Sequence, residues 1–211
     1  MYLSKTPRLI QYLFKGFTWR KKLSEKVIYL TFDDGPIPEV TEWVLDTLNQ
    51  YKAKATFFCV GDNINKHPNI FNKVIQDGHK VANHTYNHLQ GINSKNDIYF
   101  SNINRCQQSV KEYNIGKDSG KPLFRPPHGR LKFSQAKFLR EHYEIVMWDV
   151  LSGDFDPKLK PQVCLRKCIK ASKEGSIIVF HDSIKTFEKL KQVLPSYIQH
   201  FSSLGFRFET L

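Results

Sequence analysis

The chain has 211 residues, 40% of them hydrophobic, enough for one well-cored domain, and it has no uninterrupted apolar run of the roughly 20 residues that a membrane-spanning helix needs. Its four cysteines, Cys59, Cys106, Cys164 and Cys168, are scattered without a CxxC pair, which excludes a disulfide scaffold. A formal charge of +12 favours anionic partners, but no nucleic-acid-binding motif accompanies it, so nucleic acid is not expected.

Residues 1–24 concentrate that charge, with Lys5, Arg8, Lys15, Arg20, Lys21 and Lys22 all preceding the first acidic residue, Glu25. Leu9, Ile10, Tyr12, Leu13, Phe14 and Phe17 lie between them, a pattern that predicts an amphipathic helix. The expectation is a helix packed against the bottom of the domain, with a membrane-surface or cell-wall association as the alternative. Charges interrupt the apolar residues and no small-residue cleavage pattern follows, unlike a secretory signal. This points to a cytoplasmic or membrane-peripheral protein, taken as a monomer.

From Lys26 onward, apolar runs at 27–32, 55–60, 80–83, 123–124, 145–149, 177–180 and 206–209 predict strands. Between them, helical spacing is clear where Val40, Trp43, Val44 and Leu48 recur, and further helices are predicted over 67–77, 97–113, 134–141, 162–173 and 187–201. Cys164 and Cys168, one turn apart, read as a buried helix face, and the polar stretch 114–121 reads as a surface loop. Regular alternation of strand and helix argues for a parallel sheet with helical crossovers, and about seven units suit a barrel. Residues 25–211 are therefore read as one α/β domain, with 1–24 flanking it.

The chemistry gathers at the predicted strand ends. TFDDGPIP delivers Asp33 and Asp34 to a Gly35-Pro36 break, which is needed if both carboxylates are to serve one site, since neighbouring strand residues point oppositely. His84 and His88 are separated by four residues, which on a helical turn puts both imidazoles on one face, as a metal clamp requires; Asp33 or Asp34 would complete a three-ligand site. Arg125 opens RPPHGR at the end of the fourth strand and can orient a carboxylate through paired hydrogen bonds, while the His128 N–H remains as a donor in a loop stiffened by two prolines. His181 ends a very apolar strand and needs a partner there. Asp154 is the candidate, and it would favour the protonated ring. In a parallel barrel these ends converge on one face.

Taken together, TFDDGP, HTYNH, RPPHG, WDVLSGD and VFHD resemble, in order, the five motifs of polysaccharide deacetylases, the NodB-like carbohydrate esterases. The resemblance runs from about Lys26 to the C-terminus. It implies a distorted (β/α)7-type barrel and metal-dependent removal of acetyl groups from an N-acetylated sugar polymer or oligomer such as peptidoglycan or chitin. By the same match Asp34, His84 and His88 are metal ligands, Asp33 is the base and His181 the acid. Arg125 would orient Asp33, and Asp154 would orient His181. The implied cofactor is a divalent metal, Zn2+ foremost, with Co2+ or Mn2+ as alternatives. His128, Val179 and Trp148 fall to the substrate and oxyanion side. The chain departs from the family pattern where His128 replaces a tyrosine, Phe155 a tryptophan and Val179 a leucine, which bears on substrate choice. Two other readings are a hydrolase of another small amide or imide on the same fold, and a non-enzymatic binder of anionic polymer or membrane.

Overall fold

The computed structural model describes residues 3–21, 25–113 and 120–211; most of the loop expected at 114–121, and Lys22, lie outside them. Seven parallel strands stand in the order β5-β4-β3-β2-β1-β7-β6. They are β1 (Val27–Asp33), β2 (Ala55–Cys59), β3 (Lys80–Asn83), β4 (Leu123–Phe124), β5 (Glu144–Ile145), β6 (Val150–Leu151) and β7 (Ile177–His181). An eighth, β8 (Arg207–Phe208), pairs with the start of β1. The crossovers are α2 (Val40–Gln50), α4 (Pro68–Gln76), α5 (Asn96–Lys111), α6 (Phe133–His142), α7 (Pro161–Ala171) and α8 (Phe187–Ser203), joined by the short α1 (Arg8–Leu13) and α3 (Gly61–Lys66).

Every residue of β1 is buried, as expected for a central parallel strand covered on both faces. Its two faces do different things. Ile28, Leu30 and Phe32 pack outward with Phe57, Ile178 and Phe180 under Val44, Leu48, Leu194 and Tyr197 of the helices. Phe32 stacks on Phe57 with centroids 5.1 Å apart, and burying such a side chain stabilises the fold by about 1.5–3 kcal/mol. Val27 and Tyr29 point inward to Phe58, Ala82, Val146 and Ile177. Further along the same inner face come Thr31 and Asp33, so the barrel interior changes from apolar to polar towards the carboxyl ends of its strands. All four cysteines are buried thiols, and Cys164 sits on α7 with its Sγ 3.2 Å from the Ser152 carbonyl.

The strand expected at 145–149 is divided. β5 ends at Ile145, and β6 begins at Val150 beside β7. The cause lies between them: the Arg125 guanidinium takes the carbonyls of Val146 and Met147, withdrawing both from any ladder. Among the described residues no ladder joins β5 to β6, and the N-terminal segment occupies this seam. The Thr6 N–H donates to the Asp149 carbonyl and the Leu151 N–H to Ser4, while Thr18 exchanges two backbone bonds with Ile145 and Met147. Lys5 Nζ lies 2.6 Å from the buried Asp149 carboxylate. The segment expected to be a packed amphipathic helix is thus split, with edge contacts around Lys5, Thr18 and Arg20 on either side of one short helix. Its helix, α1, has six residues, none of them buried, and it lies beside the loop that follows β4 rather than beneath the barrel.

Candidate active site

Asp33 is the last residue of β1 and stands in register with His181, the last of β7; in-register parallel neighbours project to the same face. Its Oδ1 accepts a hydrogen bond from Arg125 Nη1 at 2.7 Å. Arg125 is fully buried, yet each part of its guanidinium is engaged: by Thr31 Oγ1 at 2.8 Å, by the Val146 and Met147 carbonyls, and by the face of Phe58 at 3.9 Å. A buried cation is tolerable only when paired and hydrogen-bonded in this way.

Asp34 leaves the strand with φ 87°, in the left-handed region that non-glycine residues seldom enter. Three contacts hold it there. Asn63 of α3 donates to the Asp34 carbonyl at 2.7 Å, the Gly35 N–H donates to Asp182 Oδ1 at 3.0 Å, and Thr41 donates to the other Asp182 oxygen at 2.6 Å. A Cβ on Gly35 would lie 1.9 Å from Asp182 Oδ2, so only glycine fits. This reversal brings both acids to one space: Asp33 Oδ2 lies 3.9 Å, and Asp34 Oδ1 3.8 Å, from His84 Nε2.

The two histidines do not sit on a helical turn as their spacing predicts. Residues 84–88 form an irregular loop with Thr85 at φ 67° and His88 at φ 57°. Asn83 accepts the Thr85 N–H at 2.9 Å and Asn102 accepts the Tyr86 N–H at 2.7 Å. Those side chains capture backbone donors that a helix would use. The imidazoles still meet, with centroids 5.1 Å apart. His84 Nδ1 lies 2.7 Å from the Arg125 carbonyl; a carbonyl only accepts, so Nδ1 carries the proton and Nε2 presents a lone pair. Burial, followed by the charge of His88, pushes the His84 pKa down to about 3, keeping the ring neutral as a metal ligand must be.

Among the described residues Asp34 Oδ1 is buried without a hydrogen-bond partner, and His88 Nε2 stands 3.3 Å from it. An unpartnered buried carboxylate oxygen demands an explanation. The ligand atoms of Asp34, His84 and His88 all lie within 4.8 Å of one another, a spacing and an N/N/O donor set that fit a divalent cation with positions left open. The Arg125 carbonyl also fixes the His84 ring, as a carbonyl or carboxylate commonly fixes a ligating imidazole.

Across the site, His181 Nδ1 and backbone N–H both reach Asp154, each at 2.8 Å, and Ser152 Oγ donates to the same carboxylate at 2.9 Å. Burial alone would lower the His181 pKa. The charge and hydrogen bond of Asp154, reinforced by Asp34 and Asp33, outweigh that and raise it to about 9, so the ring is cationic at neutral pH. Phe155 stands edge-on to His181 with centroids 5.3 Å apart.

Of the other anticipated residues, His128 is exposed at φ 57° with its ring 5.0 Å from that of His88. Trp148 is half-buried against Gly129, where a Cβ would meet its ring at 2.6 Å. Val179 is only 1% exposed and in register with Thr31, one layer below His181, so it touches the pocket from its floor. Sequence reasoning overlooked Asp182, Thr41 and Asn63. Asp182 was legible as the acid beside His181 in VFHD; nothing in the sequence marked the other two.

A family model described as polysaccharide deacetylase matches residues 20–142. The chain belongs to the polysaccharide deacetylase family. A peptidoglycan-N-acetylglucosamine deacetylase of Bacillus cereus is 34% identical over 200 residues, covering 92% of this chain and 90% of that protein. A chitooligosaccharide deacetylase of Rhizobium leguminosarum bv. trifolii is 31% identical over 169 residues, covering 75% and 72%. Among solved structures, the Bc1960 peptidoglycan N-acetylglucosamine deacetylase superposes with a TM-score of 0.87 at 29% identity, over 98% of this chain and 95% of that one. The deacetylase fold and the metal dependence of the family thus accompany a possible Asp34, His84 and His88 centre in this chain.

Proposed function

We propose that this polysaccharide deacetylase hydrolyses the N-acetyl groups of N-acetylglucosamine units in a glycan, with peptidoglycan as the leading substrate and chitin-like oligomers next. One observation carries the reading: an unpartnered Asp34 oxygen facing two imidazoles, with an Arg-bound carboxylate on one side and an Asp-bound histidine on the other.

Asp34, His84 and His88 would hold the metal, for which zinc is the best match to the mixed nitrogen and oxygen donors. When bound, a divalent cation supplies Lewis acidity, acidifying water and polarising the amide carbonyl. Asp33 takes the proton of the attacking water. Arg125 holds its Oδ1, which leaves Oδ2 turned towards the site. The His128 backbone N–H supports the developing oxyanion. An amine leaves only once its nitrogen is protonated, and His181 delivers that proton from Nε2 while Asp154 keeps Nδ1–H in place. Water and the N-acetyl sugar thereby give acetate and a free amino sugar. His128, Trp148 and Phe155 form the wall through which the sugar is chosen.

Acetate release from peptidoglycan and from N-acetylglucosamine oligomers by metal-loaded protein tests the reading, with Asp33→Asn as control. Turnover in the wild type and its loss by about 10²-fold or more in the variant is expected. Asp34→Ala or His84→Ala should abolish metal binding by calorimetry; activity retained alongside metal loss would overturn the assignment. Hydrolysis of a small cyclic imide with no acetate from any glycan would favour the other hydrolase reading.

A further inference from the structure

A second feature lies outside the catalytic constellation. The N-terminal segment and the loop after β4 enclose a cavity of about 700 Å³ lined by Leu13, Phe14, Trp19, Leu131, Phe133 and Met147, among others. Phe14 and Phe133 stack across it with centroids 6.3 Å apart. Its rim continues into open surface: Leu9 is 68%, Tyr12 73% and Phe133 83% exposed. Scattered apolar side chains on a surface need no explanation, but among the described residues five of the thirteen exposed large ones line this one cavity, and Leu9 and Tyr12 follow on α1.

The same face is cationic. Lys15, Arg130 and Arg140 line the cavity, Arg8 begins α1, and among the described residues no carboxylate pairs with any of them. Elsewhere the basic N-terminal residues are occupied, Lys5 by Asp149 and Lys21 by Glu144. A second copy of the chain would bring an identical unpaired cationic rim against this one, which electrostatics opposes. A surface with anionic headgroups over acyl chains complements both features, since amphipathic elements rich in Lys and Arg seat their apolar side chains at that boundary.

We infer that this face docks on an anionic lipid surface. Phe133 and the apolar side chains of α1 enter the headgroup boundary, an acyl chain occupies the cavity, and Lys15, Arg130 and Arg140 meet lipid phosphates. Pro126, Gly129 and Arg130 belong both to the cavity lining and to the loop carrying His128, so docking holds one edge of the active site against the bilayer, within reach of glycan lying close to it.

The test is sedimentation of the full chain with phosphatidylcholine vesicles, with and without phosphatidylglycerol. Binding is expected only to the anionic vesicles. Leu13→Asp with Phe133→Asp should weaken it by about tenfold or more, and Lys15→Glu with Arg140→Glu by a similar factor that raised salt reproduces in the wild type. All substituted residues are exposed, and thermal melts verify folding. Turnover of soluble oligomer should be unchanged in the Leu13 and Phe133 variant; because vesicle binding is read without substrate, docking and the deacetylase reading fail separately. No binding by the wild type, equal binding by the variants, or a wild-type dimer in solution that Phe133→Asp dissolves would each overturn the inference.

Discussion

Asp33 and Asp34 are neighbours of one chemical type, and what separates them is their partners. Asp33 is committed to Arg125 at 2.7 Å, while among the described residues Asp34 Oδ1 has no hydrogen-bond partner and faces the His84 and His88 imidazoles. The separation depends on Gly35, whose missing side chain admits the Asp182 carboxylate. Gly35→Ala should cost about 1–3 kcal/mol of stability by overpacking and displace Asp34 from the histidines, visible as a lower urea midpoint together with weakened metal binding. Asp182 itself is pushed up to about 8 by burial and the nearby Asp34 charge, a sign of how much negative charge the site concentrates before a cation enters. His181 shows the opposite balance. Its pKa of about 9 keeps this proposed acid charged at neutral pH, and turnover should fall as pH rises through its deprotonation; a cation neutralising Asp34 would move that limb below 9. Removing the Asp154 charge removes the main support of the imidazolium. In Asp154→Asn the alkaline limb of the kcat profile should therefore shift to lower pH, with the plateau reduced by about 10²-fold.

Among the elements, β1 carries the site at one end and the packing at the other. The amino end of β2 adds a pH-sensitive joint: His79 accepts the Ala55 N–H at 3.2 Å and lies edge-on to Phe57. Burial and Lys54 lower its pKa to about 4. The folded value lies below the unfolded one, so this contribution to stability is complete above about pH 6.5 and is lost as pH falls towards 4, amounting to about 3 kcal/mol. Urea midpoints between pH 7 and pH 4 should fall steeply for the wild type and less for His79→Gln, which keeps an acceptor without a titrating ring. The seam between β5 and β6 shows a site shaping its own scaffold. Arg125 claims two carbonyls to hold Asp33, the strand breaks, and residues 4–6 and 18 supply the backbone partners that the break leaves wanting.

For the molecule as a whole, metal and fold are coupled. Asp34, His84 and His88 come from two loops brought together only in the folded chain, so a cation held by them binds the native state preferentially. At a hundredfold excess over Kd this stabilises the protein by about 2.7 kcal/mol, a rise in Tm of roughly 5–10 °C for a domain of this size. A melt with zinc against one with chelator measures it, and in His84→Ala the two curves should coincide. Among the described residues no helix is long and apolar enough to cross a membrane.

The alternation of apolar runs and helical spacing determined the parallel barrel, because strand and helix periods are local properties written directly in residue order. It also placed Asp33, Asp34, His84, His88, Arg125, Asp154 and His181 at or just after strand ends, and the five ordered motifs suggested the roles proposed for them. Distance along the chain hid the remainder. That His84 and His88 meet through two left-handed residues and not a helical turn depends on Asn83 and Asn102. That Asp34 is free while Asp33 is bound depends on Arg125, 92 residues away, and the turn between them depends on Asp182 and Asn63. The basic N-terminal stretch likewise read as a helix from its composition, whereas only Arg8–Leu13 are helical and residues 4–6 and 18 pair with the unfilled seam beside Arg125. Such choices are made by backbone donors and acceptors seeking partners across the fold, and only the tertiary structure brings those partners together.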